Sequence, residues 1–283
     1  MTLIWFAQPG GVLGSSPGDV VSNSSDVELI FTLACAGVVL VGLVGMLLHW
    51  RKTGSAIGIL ILTGGMLAII QEPMVDTLGN MYIPPSHFTL FTTYGREMPW
   101  FAPFGYGLYF GIPAFIYILA AQRGWSRRDF QKLFAASFGL ELVFELIAVN
   151  GNFYSYYGNQ PFRFFELPIH WMTLNMAAAW VAAAAVYKAM PYLKGWRQLA
   201  IPLIVLCTIT GSYYAQGWPI FSALHAENPP EAVLVLGSLA TVALGIAIMQ
   251  TMVGFLARPQ GQPAQTVSGH ASAAEKPGAP VAR

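Results

Sequence analysis

Seven long apolar stretches constrain the fold of this chain more than any other feature. They cover about residues 29–48, 54–72, 100–121, 131–149, 167–187, 199–218 and 232–257. About 20 apolar residues in a helix span a bilayer, whereas the strands of a membrane barrel would alternate in polarity. Only 10% of the residues are charged, against about 25% in soluble domains. The sequence therefore predicts an all-α integral membrane protein, built as a bundle of seven transmembrane helices over residues 29–257.

Lysine and arginine indicate the orientation of this bundle. One side of the predicted bundle, which holds the connections after the second and fourth stretches, carries only Arg96 and Arg163, and the other side carries most of the basic residues. Basic residues concentrate on the cytoplasmic side of membrane proteins. We therefore expect the N-terminus outside and the C-terminus in the cytoplasm of a cell-membrane protein. The residues on the predicted cytoplasmic side are Arg51, Lys52, Arg123, Arg127, Arg128, Lys132, Lys188, Lys194, Arg197 and Arg258.

The two ends of the chain are predicted to lie outside the bundle, and the absence of several motifs argues against a cofactor. Residues 1–28 form a predicted outer segment, and residues 258–283, rich in Pro, Gly, Gln, Ser and Ala, a predicted disordered cytoplasmic tail. Cys35 and Cys207 lie in apolar stretches, where buried thiols are ordinary packing residues. The chain lacks a glycine-rich phosphate loop, a dinucleotide fingerprint and an HExxH pair. We expect no cofactor and no nucleic-acid partner.

Two carboxyl groups in the fourth stretch are the main candidates for catalysis. Glu141 and Glu145 are four residues apart, so they share one helix face. A charged group at mid-bilayer costs at least about 2.5 kcal/mol, which makes that face a candidate site inside the bundle. The alternative is a hydrogen-bonded pair that holds helices together, worth about 0.6 kcal/mol per bond. Holding helices together does not require two carboxyl groups on one face, whereas paired carboxyl groups suit the roles of acid and base in catalysis.

Further catalytic candidates lie at the ends of neighbouring stretches. Glu72 ends the second stretch and Asp76 follows it, although both also suit the headgroup level. His170 opens the fifth, one turn after Glu166, and the alternative is a hydrogen-bonded core histidine. The Glu-x-x-His spacing of bundle metal sites is absent, so we expect no metal.

The polar groups collect at one level of the predicted bundle. At 1.5 Å per residue, Glu145 and His170 lie roughly 5 Å below the outer surface and Glu141 and Asn175 about 12 Å below it. This asymmetry predicts a pocket that opens either outward or from the outer leaflet of the bilayer. The predicted substrate-binding residues are Asn150, Asn175, Tyr154, Trp100, Tyr213 and Trp171.

The two long outer connections are unusually aromatic. Residues 73–99 and 150–166 are dense in Tyr and Phe. One interpretation is an interfacial belt at the headgroups, and the other is an apolar roof over a lipophilic substrate. Both interpretations can hold for the same connection.

Several short strings resemble the actinobacterial AveC-like family of membrane proteins, named for the spirocyclase of avermectin biosynthesis. The strings are Gln71-Glu72-Pro73-Met-Val-Asp76, Gly95-Arg96-Glu97-Met98-Pro99-Trp100, Gly151-Asn-Phe-Tyr-Ser-Tyr-Tyr157 and Phe165-Glu166-Leu-Pro168, within residues 55–220. The resemblance implies spiroketal formation from a dihydroxy-ketone polyketide without a cofactor. The architecture is also similar to that of the small seven-helix membrane terpene cyclases.

Together these patterns favour a redox-neutral, cofactor-independent cyclase or dehydratase acting by acid and base chemistry on a lipophilic polyketide or isoprenoid. Glu141 or Glu145 is expected to donate a proton, and Glu72 or Asp76 to accept one. The alternative is a small-molecule transporter or binding protein with an outward-facing acidic pocket. Many carriers contain paired repeats, and none is evident in this sequence.

Overall fold

Helices dominate the structure, a computed structural model that describes residues 21–258. Seven helical segments are long and apolar enough to cross a membrane, as the sequence predicts. We number them spans 1 to 7. Most of the predicted outer segment and the predicted tail beyond Arg258 lie outside the described residues. The spans are Ser25–Thr53, Ile57–Leu78, Phe101–Gln122, Arg127–Asn150, Ile169–Ala189, Gly195–Leu224 and Glu231–Leu256.

Local signals explain where several spans begin and end. Span 1 (α1) begins after Ser24, whose hydroxyl accepts a hydrogen bond from the amide of Val27, and ends at Gly54. Gly54 has a φ of 72°, a left-handed conformation that glycine adopts at little cost. Span 4 (α6) begins with a capping box in which Ser126 and Asp129 bond to each other's backbone amides.

Spans 2, 3 and 6 are irregular helices. Span 2 consists of α2 (Ile57–Leu67), a 3-10 turn (Ala68–Gln71) and α3 (Glu72–Leu78). Span 3 consists of α4 (Phe101–Tyr106), a π-helical turn (Gly107–Gly111) and α5 (Ile112–Gln122). π-helical turns inside α-helices occur frequently at functional sites. Span 6 joins a 3-10 turn (Gly195–Ala200) to α8 (Ile201–Leu224).

Span 5 (α7) is the central helix of the bundle. Its most apolar window is 83% buried, against 17% for spans 1 and 4. Trp180 of span 5 is fully buried and stacks on Tyr117 of span 3, with ring centroids 4.0 Å apart. Spans 1 and 4 therefore lie at the periphery, with most of their surface available to lipid. Span 7 (α9) packs against spans 5 and 6.

The connections after spans 2 and 4 contain short strand pairs that the sequence did not predict. β1 (Met81–Tyr82) pairs antiparallel with β4 (Ser155–Tyr156), so the two connections are joined to each other. β2 (Thr89–Thr93) pairs with β3 (Arg96–Pro99), and β5 (Arg163–Phe164) with β6 (Leu167–Pro168). These pairings form an ordered cap over one end of the bundle.

The cap is also tied to the first turn of span 1. Glu28 accepts hydrogen bonds from the Ser86 hydroxyl and from the backbone amide of His87, the latter at 2.8 Å. Asn23 donates its side-chain amide to the carbonyl of Gly151 at 2.8 Å. Span 1 and the residues directly before it thus contact both connections of the cap.

Candidate functional site

A small cavity lies between the cap and the helices. Its volume is about 60 Å³. We call it the acidic pocket, because two carboxyl groups from different spans line it together with apolar rings. Its polar lining residues are Glu72, Tyr106, Tyr109, Glu145, Tyr154, Tyr156, Trp171, Asn175 and Tyr213.

Glu145 is the most highly hydrogen-bonded side chain of the acidic pocket. It lies on span 4 and is 2% exposed. Its Oε2 accepts hydrogen bonds from the hydroxyls of Tyr154 at 2.9 Å and Tyr156 at 3.3 Å. Its Oε1 accepts one from Asn175 Nδ2 at 2.7 Å. A carboxylate has about four acceptor positions, so three neutral donors leave about one for a ligand.

Asn175 connects Glu145 to a further helix. The Tyr213 hydroxyl of span 6 donates a hydrogen bond to Asn175 Oδ1. The two ends of the Asn175 amide therefore have distinct partners, a donor on one side and an acceptor on the other, which fixes its orientation. A continuous chain of hydrogen bonds runs from span 6 through span 5 to the carboxyl group on span 4.

Tyr154 and Tyr156 come from the connection after span 4. Tyr156 belongs to β4, whose pairing with β1 holds both rings over the pocket. Burial, followed by the charge of Glu145, raises the pKa of Tyr154 and of Tyr156 well above the ordinary value. Both hydroxyls therefore keep their protons and remain hydrogen-bond donors to Glu145.

Glu72 brings the second carboxyl group into the acidic pocket. It begins α3, immediately after the 3-10 turn of span 2. The Tyr106 hydroxyl donates a hydrogen bond to Glu72 Oε2 and accepts one from Gln71 Nε2 at 3.3 Å. In residues 21–258, Tyr106 is the one side chain that donates to this carboxyl group. Glu72 is thus less fully hydrogen-bonded than Glu145.

Asp76 lies behind Glu72, one helical turn farther along α3. It is completely buried, and neither of its carboxyl oxygens has a hydrogen-bond partner within the described part of the chain. Asp76 does not line the acidic pocket. Its carboxyl group is close enough to Glu72 to interact with it electrostatically. Asp76 therefore influences the site without lining it.

Arg96 provides a buried positive charge at the cap. It is 8% exposed and donates hydrogen bonds to Thr77 Oγ1 at 2.9 Å, to the Met81 carbonyl at 2.8 Å and to the Tyr157 hydroxyl at 3.3 Å. Its charge also acts on Glu72. Arg96 therefore holds β1 against span 2 and compensates part of the acidic charge.

Other predicted catalytic residues lie away from the acidic pocket. His170 is fully buried, and its Nδ1 lies 3.0 Å from Ser238 Oγ on span 7. Glu166 does not orient His170, because it pairs with Arg163 at 3.0 Å and its side chain is 71% exposed. The turn between β5 and β6 directs Glu166 to the surface. Because this segment is not helical, a separation of four residues does not place Glu166 and His170 on one face.

Two predicted substrate-binding residues also lie elsewhere. Asn150 is exposed and donates its side-chain amide to the Leu146 carbonyl at 2.8 Å, as a residue ending span 4. Trp100 is 47% exposed at the start of span 3. The remaining candidates, Asn175, Tyr154, Tyr213 and Trp171, all line the acidic pocket.

Glu141 lines a second, larger cavity of about 270 Å³ between spans 1, 3, 4 and 5. We call it the lateral crevice. Tyr109 and Phe144 line both cavities, so the crevice lies next to the acidic pocket. Its lining residues are Val38, Leu108, Tyr109, Ile112, Pro113, Ile116, Tyr117, Leu133, Ser137, Leu140, Glu141, Phe144, Met176 and Ala179.

The sequence did not single out Tyr106, Tyr109, Tyr156 or Arg96 for the site. Tyr106 directly precedes the π-helical turn of span 3 and Tyr109 lies within it. A Tyr pair beside several glycines in an apolar stretch could have indicated this part of the site. The sequence indicated Arg96 as a charge relevant to orientation, as part of a string that resembles the AveC-like family and as a member of an aromatic connection, but not as a buried residue of the site. Its position in a short aromatic hairpin directly before span 3 could have indicated burial.

Within residues 21–258, no group of three or more His, Cys, Asp or Glu side chains is arranged to hold a metal ion. Comparisons of the chain with protein-family models, curated proteins and solved structures found no match. The functional assignment therefore depends on the geometry of the acidic pocket and of the cap.

Proposed function

We propose that this protein is a cofactor-independent cyclase of the cell membrane that acts on a lipophilic polyketide or isoprenoid. One observation carries the proposal. Glu72 and Glu145, from spans 2 and 4, line one small pocket with aromatic rings, and each is hydrogen-bonded by tyrosine. Two carboxyl groups in different surroundings suit the acid and base of a proton-transfer reaction.

The hydrogen bonds favour a specific division of roles. Glu145 accepts three hydrogen bonds from neutral donors, an arrangement that stabilises a proton acceptor. Glu72 accepts one, from Tyr106, and lies near the unpaired carboxyl of Asp76. We therefore propose Glu72 as the first proton donor and Glu145 as the first acceptor, which reverses the sequence-based assignment.

The first half of the reaction forms a ring. Glu72 transfers its proton to a substrate carbonyl oxygen, and a substrate hydroxyl adds to the carbonyl carbon. The carbon–oxygen bond forms as the hydroxyl proton passes to Glu145, so the cyclic product is an isomer of the substrate. General acid and base groups of this kind contribute about 10²- to 10⁴-fold to a rate.

A second half-reaction would close a spiroketal, the chemistry implied by the resemblance to AveC-like proteins. Glu145 returns its proton to the new hydroxyl, which leaves as water. A second substrate hydroxyl adds to the resulting cationic carbon and gives its proton to Glu72, which restores both carboxyl groups. The faces of Tyr106 and Trp171 can stabilise the transient positive charge.

The orientation is part of this proposal. Basic residues flank the ends of the spans opposite the cap, so the cap and the acidic pocket are proposed to lie on the outer side. The N-terminus is then outside and the C-terminus in the cytoplasm. This arrangement supports access for the substrate from the outer half of the bilayer.

Metabolite profiling tests the function. The native host with the gene deleted is complemented with wild-type protein, Glu145→Gln, Glu72→Gln or the control Glu166→Gln, whose parent residue is exposed and outside the pocket. Lipid-soluble metabolites are compared by mass spectrometry. We expect an acyclic precursor to accumulate in both pocket variants, while wild type and Glu166→Gln form a product of equal mass or one water lighter.

Two results would contradict the proposal. Full product formation by Glu145→Gln, shown to be inserted at wild-type levels, would exclude its catalytic role. Unchanged metabolite structures with a changed distribution between cells and medium would instead favour the transport alternative.

A further inference from the structure

The lateral crevice is apolar except for a few side chains, and its mouth faces the membrane. Val38, Ile116 and Leu140 at its edge are exposed hydrophobic residues of spans 1, 3 and 4. Because spans 1 and 4 are mostly unburied, this edge faces lipid. A molecule dissolved in the bilayer can therefore reach the crevice without crossing the cap.

Glu141 places an unused hydrogen-bonding atom in this apolar surface. Its Oε1 is buried and has no hydrogen-bond partner among residues 21–258. The Ser137 hydroxyl, which also lines the crevice, accepts a hydrogen bond from the Tyr117 hydroxyl at 3.0 Å and does not donate to Glu141. An unsatisfied buried polar atom is costly, so an occupant that donates to Glu141 is favoured over a plain hydrocarbon chain.

The crevice and the acidic pocket are adjacent cavities that share part of their walls. Tyr109 and Phe144 line both cavities. The volume of the crevice is about 270 Å³, several times the volume of the acidic pocket, which is about 60 Å³. The larger apolar part of a ligand therefore fits the crevice, and its reacting end fits the pocket.

We infer that the lateral crevice binds the apolar chain of a hydroxyl-bearing substrate that enters from the bilayer. Glu141 accepts a hydrogen bond from a hydroxyl on that chain, and the reacting end extends past Tyr109 and Phe144 to Glu72 and Glu145. The inference rests on the proposed function for the identity of the reacting end. The substrate class is thus a long-chain lipophile with hydroxyl groups at two separated positions.

Photo-crosslinking tests the binding site without requiring turnover. The full chain is reconstituted in phosphatidylcholine nanodiscs with a long-chain secondary alcohol that carries a diazirine, or with the methyl ether of the same probe. The ether has equal length but no hydroxyl proton to donate. Labelled positions are identified by mass spectrometry, and excess unlabelled alcohol is added to compete.

We expect the alcohol to label the crevice residues of spans 3 and 4, and unlabelled alcohol to compete. The ether should label the crevice about threefold to tenfold less, the effect of one hydrogen bond. Glu141→Leu should reduce labelling by the alcohol to the level of the ether. Ile116→Trp should block the mouth, whereas the control Leu203→Trp, at an exposed position of span 6, should leave labelling unchanged.

Equal labelling of the crevice by alcohol and ether would overturn the inference, since the crevice would then hold any lipid chain. Labelling confined to other surfaces would overturn it as well. The wild-type comparison requires no variant, so misfolding of Glu141→Leu leaves the test intact. Crevice labelling with full product formation by Glu145→Gln would contradict only the proposed function. Product formation that depends on Glu145, with no crevice labelling, would contradict only this inference.

Discussion

Asn175 Nδ2 donates a hydrogen bond to Glu145 Oε1 at 2.7 Å, and this bond joins span 5 to span 4. Span 4 lies at the periphery, with 17% of its most apolar window buried. A polar contact therefore holds a loosely packed helix in the rotation that directs Glu145 into the acidic pocket. The position of the carboxyl group depends on its hydrogen-bond donors as well as on helix packing.

Replacing Asn175 with leucine should slow product formation more than it lowers the amount of inserted protein. A leucine side chain at this position cannot donate to Glu145, and the net value of one such bond, about 1 kcal/mol, corresponds to about fivefold in rate. Initial rates in isolated membranes, normalised to protein level, measure the effect. A normalised rate equal to wild type would show that Asn175 does not position Glu145.

Removing the tyrosine hydroxyls of the cap should also weaken the site. Tyr154→Phe and Tyr156→Phe should each slow the reaction about fivefold, and the double variant should be slower than either. Tyr94→Phe, at a residue 58% exposed, is the matched control. A double variant with the rate of Tyr94→Phe would contradict a role for these donors.

The pH dependence of these hydroxyls follows from their environment. Burial raises the pKa of Tyr154 and Tyr156 well above the ordinary value, which is about 10 for a free tyrosine. Both hydroxyls therefore stay protonated as the pH passes 10. We expect the ratio of the wild-type rate to that of the double Phe variant to stay constant up to about pH 10, and a falling ratio would contradict this.

The proposed roles of Glu72 and Glu145 predict opposite changes in the pH profile of kcat/KM. A base must be ionised, so its loss removes the fall in rate at low pH, whereas loss of an acid removes the fall at high pH. The residual activity of Glu145→Gln should lack the low-pH limb, and that of Glu72→Gln the high-pH limb. The reverse pattern would exchange the two roles.

The close contact of spans 2 and 3 predicts a difference between two glycines. A Cβ on Gly65 would lie 2.8 Å from the backbone nitrogen of Gly111, whereas a Cβ on Gly37 would meet nothing within 4 Å. Gly65→Ala should destabilise the protein by about 1–3 kcal/mol through overpacking, and Gly37→Ala should not. Thermal unfolding in detergent compares the two, and equal midpoints would contradict the close contact.

His225 predicts a loss of stability in mild acid. Its Nε2 donates to the Leu78 carbonyl at 2.9 Å, and burial lowers its pKa below the ordinary value. The unfolded chain therefore binds the proton first as the pH falls below about 6.5, and stability decreases with it. His225→Gln should show a smaller loss of unfolding free energy between about pH 8 and pH 5, and an equal loss would contradict this.

The number of helices could be predicted because apolar length is a local property of the chain. The sequence could also predict that one site contains Glu145, Asn175 and Tyr213, because polar groups at matching depth in apolar helices turn toward each other. Glu141 shares a helix face with Glu145 but lines the neighbouring crevice. Depth alone cannot resolve such a difference, because it depends on helix rotation.

The cap was beyond prediction from the sequence for a different reason. β1 and β4 are short strands that lie far apart in the chain, Met81–Tyr82 and Ser155–Tyr156, so neither strand has a recognisable pattern of its own. The exposed position of Glu166 and the burial of Arg96 both follow from this cap. Such non-local pairings depend on the assembled bundle.

The most direct test of the central claim uses the accumulated precursor and purified protein. The precursor from the deletion strain is incubated with proteoliposomes that contain wild-type protein or Glu145→Gln, and the products inside and outside are analysed by mass spectrometry. We expect wild type to convert the precursor to a cyclic product without any added cofactor, and Glu145→Gln to leave it unchanged. Accumulation of unaltered precursor inside wild-type vesicles would contradict catalysis and favour the transport alternative.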